Sequence, residues 1–88
     1  MAPSHSNPTN ERLRAILVEG RRAAGLTQAE LATRLARPQS FVSKYERGER
    51  RLDVAELIEV AVALGLEPAS IISELAGATD LKRTRRSP

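Results

Sequence analysis

The amino-acid sequence predicts an all-α protein of five helices. Apolar residues recur at helical spacing in several segments, and no segment shows the alternation typical of a half-buried strand. The two aromatic residues, Phe41 and Tyr45, leave the core to Leu, Ile, Val and Ala, a composition that favours helices over sheets. A chain of 88 residues suits one small domain.

The first predicted helix follows residues 1–10, which have no periodic apolar residues. We expect this arm to be disordered, because it contains two prolines, two serines and two asparagines. From Glu11 the spacing becomes helical, and Gly25 has the place of a glycine that ends a helix. The periodic positions are Leu13, Ile16, Leu17, Gly20 and Ala24.

The next two predicted helices are short and close together. Thr27 and Glu30 form a capping-box pattern, which places the start of helix 2 at residue 27 and its end near residue 35. Pro38 is accepted in the first turn of a helix but not in its interior, so helix 3 spans about residues 38–47. The residues expected to be buried in helix 2 are Leu31, Ala32 and Leu35.

Two further helices complete the predicted fold. Asp53, with Glu56 three residues later, indicates the start of helix 4, and Gly65 its end. Pro68 begins helix 5, and Gly77 ends it. The expected buried residues are Val54, Leu57, Ile58, Ala61 and Leu64 in helix 4, and Ile71, Ile72 and Leu75 in helix 5. The predicted organisation is an arm over residues 1–10, a domain over 11–77 and a basic tail over 78–88.

Charged residues are ordered along the chain, although the formal net charge is only +3. Residues 34–51 carry six basic and two acidic residues, residues 52–75 carry five acidic residues and no basic one, and residues 82–86 add four basic residues. One part of the fold should therefore be electropositive and another electronegative, which suits a single surface for a polyanion.

Helix 3 is expected to have one polar and one apolar face. At about 100° per residue, its polar side chains fall on one side, and Phe41, Val42 and Tyr45 fall on the other. The polar types are those that read base edges, since Gln bonds adenine, Lys reaches guanine and Ser serves either. By itself such a face is more typical of an ordinary solvated helix surface. The polar residues are Gln39, Ser40, Ser43, Lys44 and Arg47.

Residues around helix 3 favour contact with phosphates. Thr27 and Gln28 place a hydroxyl, an amide and free N–H groups at the start of helix 2, a natural phosphate site. Basic residues frame helix 3 on both sides, namely Arg34, Arg37, Arg50 and Arg51. The acidic residues of the later helices are expected to lie away from this surface, and they are Glu56, Glu59, Glu67 and Glu74.

Three segments resemble the Cro/CI-type (XRE) helix-turn-helix family. They are LTQAELA at residues 26–32, PQSFVSKYERG at 38–48 and ALG at 63–65, and they occur together at the family's spacing. The resemblance covers Leu13 to about Leu75. It implies a compact five-helix, lambda-repressor-like DNA-binding domain, with the helix-turn-helix at about residues 27–47, that binds operator DNA as a symmetric dimer.

The resemblance also implies roles for individual side chains. It assigns base reading to Gln39, Ser40 and Lys44, with Ser43 as a weaker candidate, and phosphate contacts to Gln28, Arg47 and Arg50. It further implies an ion pair between Arg21 of helix 1 and Glu46 of helix 3, the alternative being a solvated Arg21. The residue types and positions add Thr27, Arg37 and Arg51 as phosphate-binding candidates.

The chain departs from the family pattern at the turn before helix 3. Ala36 stands where glycine is usual, and a left-handed alanine costs on the order of 1 kcal/mol. Arg37 stands where an apolar residue is common, so either the turn differs or this side chain is directed outward to a phosphate. Phe41 is either partly buried beside Tyr45 or in contact with a thymine methyl group.

Composition argues against an enzyme, and we predict neither a cofactor nor a metal. The chain has no cysteine, no glycine-rich phosphate loop and one histidine, His5, in the predicted arm. Glu56 and Glu59 are the best candidate metal pair, but their positions are more typical of a capping residue and a surface charge. No apolar run approaches the ~20 residues that cross a bilayer, so we expect a soluble cytoplasmic protein with no membrane partner.

The sequence thus predicts a DNA-binding transcriptional regulator that inserts helix 3 into the major groove of a palindromic operator as a homodimer, and acts as a repressor. The alternative is an antitoxin or adaptor that acts mainly through a protein partner. An exposed apolar patch would favour that alternative, but the three valines expected at the surface, Val18, Val60 and Val62, are too few for a convincing patch and could equally form the dimer contact. The basic residues 82–86 either add nonspecific attraction or follow the DNA backbone or minor groove.

Overall fold

Five helices make up residues 7–77, the part of the chain that the computed structural model describes. They are α1 (Pro8–Ala23), α2 (Gln28–Leu35), α3 (Gln39–Glu46), α4 (Val54–Ala63) and α5 (Pro68–Gly77). These residues contain no strand, and the predicted all-α class is confirmed. None of the five helices is long and apolar enough to span a membrane.

Helix α1 begins three residues before its predicted start at Glu11. The Asn7 side chain accepts a hydrogen bond from the Asn10 amide at 2.7 Å, and Pro8 occupies the first turn, where a missing N–H costs nothing. Residues 8–10, which the sequence analysis assigned to a disordered arm, are therefore helical. Residues 1–6 of that arm, including His5, and the predicted basic tail at 78–88 lie outside the described residues.

Capping boxes start α2 and α4, as the sequence predicted. The Thr27 hydroxyl accepts from the Glu30 amide at 3.0 Å, and the Glu30 carboxylate accepts from the Thr27 amide at 2.8 Å. Asp53 and Glu56 repeat this exchange at 2.7 and 2.9 Å. Each box satisfies N–H groups that a helix start leaves without a partner. This contributes about 1 kcal/mol to the stability of the folded protein.

Gly48, which follows α3, meets two requirements at once. Its φ of 80° is in the left-handed region that side chains rarely adopt. A Cβ at this position would also lie 2.3 Å from Nη1 of Arg14, because the Arg14 guanidinium packs directly on the Gly48 backbone. This glycine therefore ends α3 and lets α1 approach the chain segment that follows.

The core lies between α2 and the helices on either side of it. Helix α2 packs on α3 and α4, while α1 packs on α3 and α5. Each fully buried Leu, Val or Ile contributes about 1.5–3 kcal/mol of hydrophobic stabilisation. The buried residues are Leu17, Leu31, Ala32, Phe41, Val42, Tyr45, Leu57, Val60, Ala61, Leu64, Ile71 and Leu75.

Helix α4 buries a different stripe from the one predicted. Val54 and Ile58, expected in the core, are 68% and 46% exposed, whereas Val60, expected at the surface, is fully buried. The reason is that α4 is apolar around most of its circumference, so apolar spacing does not define which side faces the core. Ile72 of α5 is likewise exposed, and Leu35 is only half-buried. Of the other two valines expected at the surface, Val62 is exposed and Val18 is half-buried.

The turn between α2 and α3 contains the left-handed alanine that the sequence suggested. Ala36 has φ 57° and ψ 42°, and its N–H together with that of Arg37 closes the end of α2.

Because L side chains are strained in this left-handed region, Ala36→Gly should stabilise the protein by roughly 0.5–1 kcal/mol, measured by urea unfolding.

The matched control is Gly25→Ala. Gly25 has φ 72°, and an added Cβ would meet no atom within 4 Å, so this variant should lose about 1 kcal/mol through backbone strain alone. An Ala36→Gly variant less stable than the natural protein would contradict the assignment of strain to this turn.

Candidate nucleic-acid interface

Helix α3 presents two distinct faces, as the sequence predicted. Its N-terminus follows Pro38, whose extended backbone directs the chain into the helix immediately after the turn. Three apolar side chains, Phe41, Val42 and Tyr45, are buried against the rest of the domain. The side chains on the opposite face are exposed at Gln39, Ser40, Lys44 and Arg47, and half-buried at Ser43.

Glu46, the last residue of α3, joins three helices. Its carboxylate accepts from Nε and Nη2 of Arg21 in α1 at 2.8 and 3.1 Å, and from Nε2 of Gln28 in α2 at 2.9 Å. Arg21 also donates to the Leu26 carbonyl at 2.8 Å. The predicted Arg21–Glu46 pair is thus confirmed. The hydrogen bond from Arg21 to Glu46 raises the pKa of Arg21 above its ordinary value.

The Gln28 side chain extends this junction to the start of α3. While its Nε2 donates to Glu46, its Oε1 accepts from Nε2 of Gln39 at 3.5 Å. The amide of Gln28 therefore has a set orientation, with its oxygen toward the first exposed residue of α3. The Gln28 side chain uses one of its two Nε2 N–H groups on Glu46, so the second of these and the backbone N–H groups of Gln28 and Ala29 are the donors available for the predicted phosphate contact.

Thr27 also has most of its groups engaged. Its hydroxyl oxygen and its amide both belong to the capping box with Glu30. The hydroxyl hydrogen stays available, because this oxygen acts as an acceptor in the box and a hydroxyl can donate at the same time. Thr27 is therefore compatible with the phosphate contact predicted for it.

Two arginines after the exposed face of α3 are each held by a carboxylate. Arg47 donates from Nε and Nη2 to Glu49 at 2.9 and 3.0 Å. Arg50 donates from Nη1 and Nη2 to Glu56 at 2.9 and 2.8 Å. Hydrogen bonding raises the pKa of each arginine and lowers that of Glu49. For Glu56, the bonds from Arg50 and from the Asp53 amide lower the pKa to about 2.

Arg37, at the turn, points toward α4 and not away from the domain. Its guanidinium donates to Glu59 at 3.0 Å, approaches Glu56 at 3.7 Å and lies 4.5 Å from the centre of the Phe41 ring. The Arg37 guanidinium thus covers Phe41 at a position where an apolar residue is common. The expectation that Glu56 and Glu59 lie away from this surface is wrong, because the first turns of α4 pack beside the α2–α3 turn.

Phe41 is buried between cations and a second ring. The Arg50 guanidinium forms a second cation–π contact, 4.8 Å from the centre of the Phe41 ring. The Tyr45 ring packs edge-on against Phe41, with 5.6 Å between the ring centres and 72° between the ring planes. The first of the two interpretations of Phe41, burial beside Tyr45, agrees with this environment, in which 7% of the residue is exposed. Burial also raises the pKa of Tyr45, because the ionised phenol would lose its hydration.

The remaining predicted site residues differ in the side-chain contacts that they form within the protein. Within residues 7–77, Lys44 forms no ion pair or hydrogen bond through its side chain, whereas Ser43 donates to the Ser40 carbonyl at 3.5 Å. Arg51 is exposed. No role was predicted for Glu49 from the sequence, although its position two residues after Arg47 was a signal for an ion pair with that arginine. In the same part of the chain, no three His, Cys, Asp or Glu side chains are grouped as metal ligands.

Comparisons with known proteins agree with this geometry. Residues 17–71 match the family model described as helix-turn-helix. The uncharacterized HTH-type transcriptional regulator y4dJ of Sinorhizobium fredii is 40% identical over 53 residues, which are 60% of this chain and 69% of that protein. Among solved structures, an XRE-family like protein from Pseudomonas syringae pv. tomato has a TM-score of 0.77 at 49% identity, covering 81% of this chain and 87% of that one. The clp gene regulator ClgR from Corynebacterium glutamicum has a TM-score of 0.70 at 31% identity, with 84% and 96% covered.

The low pKa of Glu56 predicts how stability changes in acid. Because this carboxyl has a pKa of about 2 in the folded protein and an ordinary value of 4.5, its contribution to stability is complete above pH 4.5 and is lost as the pH falls to 2. Glu56→Gln should lower the free energy of unfolding at neutral pH by about 1–2 kcal/mol, since solvent screens the partly exposed Arg50.

Urea unfolding between about pH 6 and pH 2 measures this effect. We expect the difference between the natural protein and Glu56→Gln to shrink as the pH falls through that window. A difference that stays constant down to pH 2 would show that the Arg50–Glu56 pair adds nothing to stability.

Proposed function

The chain belongs to the XRE-type helix-turn-helix family of DNA-binding transcriptional regulators, and on this basis we propose that it is a sequence-specific regulator that places α3 in the major groove. The observation that carries the proposal is the two-faced α3, whose apolar side is anchored in the core while its polar side is exposed. Gln39, Ser40 and Lys44 are the proposed base-reading residues, with Ser43 secondary because it is half-buried.

Lys44 has the best support among the base-reading candidates. Its ammonium group forms no hydrogen bond or ion pair within residues 7–77 and is attracted through space by Glu49, so contact with a guanine acceptor breaks no existing bond. Gln39 is the next, because its contact with Gln28 orients its amide at the start of α3. An adenine could accept from and donate to this amide in the same plane.

Phosphate contacts are proposed for both sides of α3. Thr27 and the N–H groups at the start of α2, including that of Gln28, provide one cluster, and Arg47, Arg50 and Arg51 provide the other. Arg47 and Arg50 have to exchange a carboxylate for a phosphate, which guanidinium groups bind with the same two-pronged geometry. Arg37 is the least available of the predicted contacts, because it is committed to Glu59 and Phe41.

We further propose that the protein binds as a homodimer to half-sites about 10 base pairs, or a multiple of that distance, apart. Three exposed residues of α4, Val54, Ile58 and Val62, follow one another every four positions and supply an apolar stripe for the second copy. Repression in the cytoplasm follows where such an operator overlaps a promoter. The same stripe is the observation that favours the alternative, an adaptor or antitoxin bound to a protein partner.

Selection of bound sequences from a random duplex pool at about 150 mM salt tests the function directly. At that salt, nonspecific phosphate attraction is weakened, so enrichment reports base reading. A palindrome is the expected result, and its half-site spacing gives the dimer geometry. A pool without enrichment would contradict the proposal and favour the adaptor.

Two substitutions separate base reading from phosphate binding. Lys44→Ala should lower affinity for the selected site about tenfold and relax the preference at one or two base pairs. Arg47→Ala should weaken binding to every sequence by a similar factor and reduce the dependence of log affinity on log salt by about 1. Fluorescence anisotropy with single-base variants of the selected site measures both. Equal weakening of all sequences by Lys44→Ala would exclude its base-reading role.

A further inference from the structure

We infer that Glu49 is a specificity-determining residue, which occupies the guanidinium of Arg47 in the free protein and so weakens binding to nonspecific DNA. The inference rests on the proposed function, because it takes Arg47 to be a phosphate contact. It assigns a role at the DNA surface to an acidic residue, where basic and neutral polar side chains are the usual ligands.

The geometry of the pair is that of a guanidinium bound to an oxyanion. Glu49 Oε2 accepts from Arg47 Nε at 2.9 Å, and Glu49 Oε1 accepts from Arg47 Nη2 at 3.0 Å. A phosphate group would bind the same two donors in the same parallel arrangement. The Glu49 carboxylate therefore stands where a DNA phosphate oxygen pair would stand.

The backbone brings Glu49 to this position. The left-handed Gly48 reverses the chain after α3, and the Glu49 amide then donates to the Lys44 carbonyl at 2.9 Å. This bond places Glu49 beside the last turn of α3, next to the helix position from which Arg47 extends. The pairing thus follows from the helix end itself and does not require a distant element of the fold.

The pair is exposed enough to be exchanged. The Arg47 and Glu49 side chains are 56% and 54% exposed, so a phosphate can reach the guanidinium from solvent. Solvent screens exposed pairs of this kind and leaves them weak, so a phosphate held in register by base contacts can displace the carboxylate. On a random sequence no base contacts hold the phosphate in register, and the carboxylate competes more effectively.

Glu49 differs from the other carboxylates that hold interface arginines. Glu56 also caps α4, so its replacement changes the stability of a helix. The Glu49 side chain lies outside every helix and caps no helix N-terminus. Its amide bond to the Lys44 carbonyl at the end of α3 is retained in Glu49→Gln, so this replacement leaves the fold intact. This makes Glu49 the position at which the effect on DNA binding is separable from the effect on folding.

The test compares Glu49→Gln with the natural protein on a random-sequence duplex of about 30 base pairs. By anisotropy at about 150 mM salt, Glu49→Gln should bind this duplex about three- to fivefold more tightly, with a salt slope steeper by up to about 1. Affinity for the selected site should rise less, so that the ratio of specific to nonspecific affinity falls. The control is Glu67→Gln, which makes the same change in net charge at the exposed turn between α4 and α5.

A second pair of variants isolates the mechanism. In an Arg47→Ala background, Glu49→Gln should change binding no more than Glu67→Gln does, because there is no guanidinium left to release. If Glu49→Gln strengthens binding equally in that background, Glu49 acts by plain repulsion of DNA and the inference is overturned. Equal gains from Glu49→Gln and Glu67→Gln in the natural background overturn it as well.

The inference and the proposed function fail in different ways. A natural protein that enriches no sequence from the pool contradicts the function itself. A natural protein that selects an operator, together with a Glu49→Gln variant that keeps the same specificity ratio, contradicts only the role of Glu49.

Discussion

The orientation of α3 depends on one carboxylate. Glu46 is nearly buried, and an unpaired carboxylate there would cost several kcal/mol. Three hydrogen bonds from two other helices satisfy it, and these bonds can all form only when α1, α2 and the end of α3 have their observed positions. Apolar packing of Val42 and Tyr45 supplies most of the stabilisation of α3 against the rest of the domain, but such packing tolerates small rotations of the helix. The Glu46 junction removes that tolerance, which fixes the direction in which the polar side chains of α3 project.

The electropositive segment around α3 is partly neutralised within the folded protein. Three of its arginines are paired with Glu49, Glu56 and Glu59, two of which come from the acidic segment of the chain. The segments that appear separate in the sequence are therefore interleaved in space. A surface of this kind attracts polyanions less at long range than its count of arginines suggests. Under the proposed function, Arg47 and Arg50 exchange their carboxylates for phosphates at contact, whereas Arg37 stays committed to α4.

Features that depend on local sequence were predictable, and features that depend on contacts between helices were less so. Caps at Thr27 and Asp53 follow from side chains three residues apart, and the two faces of α3 follow from helical spacing. The Arg21–Glu46 pair was available only through family resemblance, since 25 residues separate the partners. The buried side of α4 was not predictable, because Val60 and Ile58 are equally apolar and only the neighbouring helices decide between them. The position of Arg37 over Phe41 depends on α4 in the same way.

The separation of α3 into an anchored side and an exposed side has a consequence for engineering. Ser40 and Lys44 are exposed and contribute nothing to the core, so the residues at these positions can be exchanged without repacking the domain. The junction at Glu46 and the buried ring of Phe41 would then present any new side chain from the same backbone position. Under the proposed function, the fold is a scaffold whose framework stays constant while the residues at the exposed positions of α3 are varied. A combinatorial library at these positions is then a direct route to variants that bind other DNA sequences.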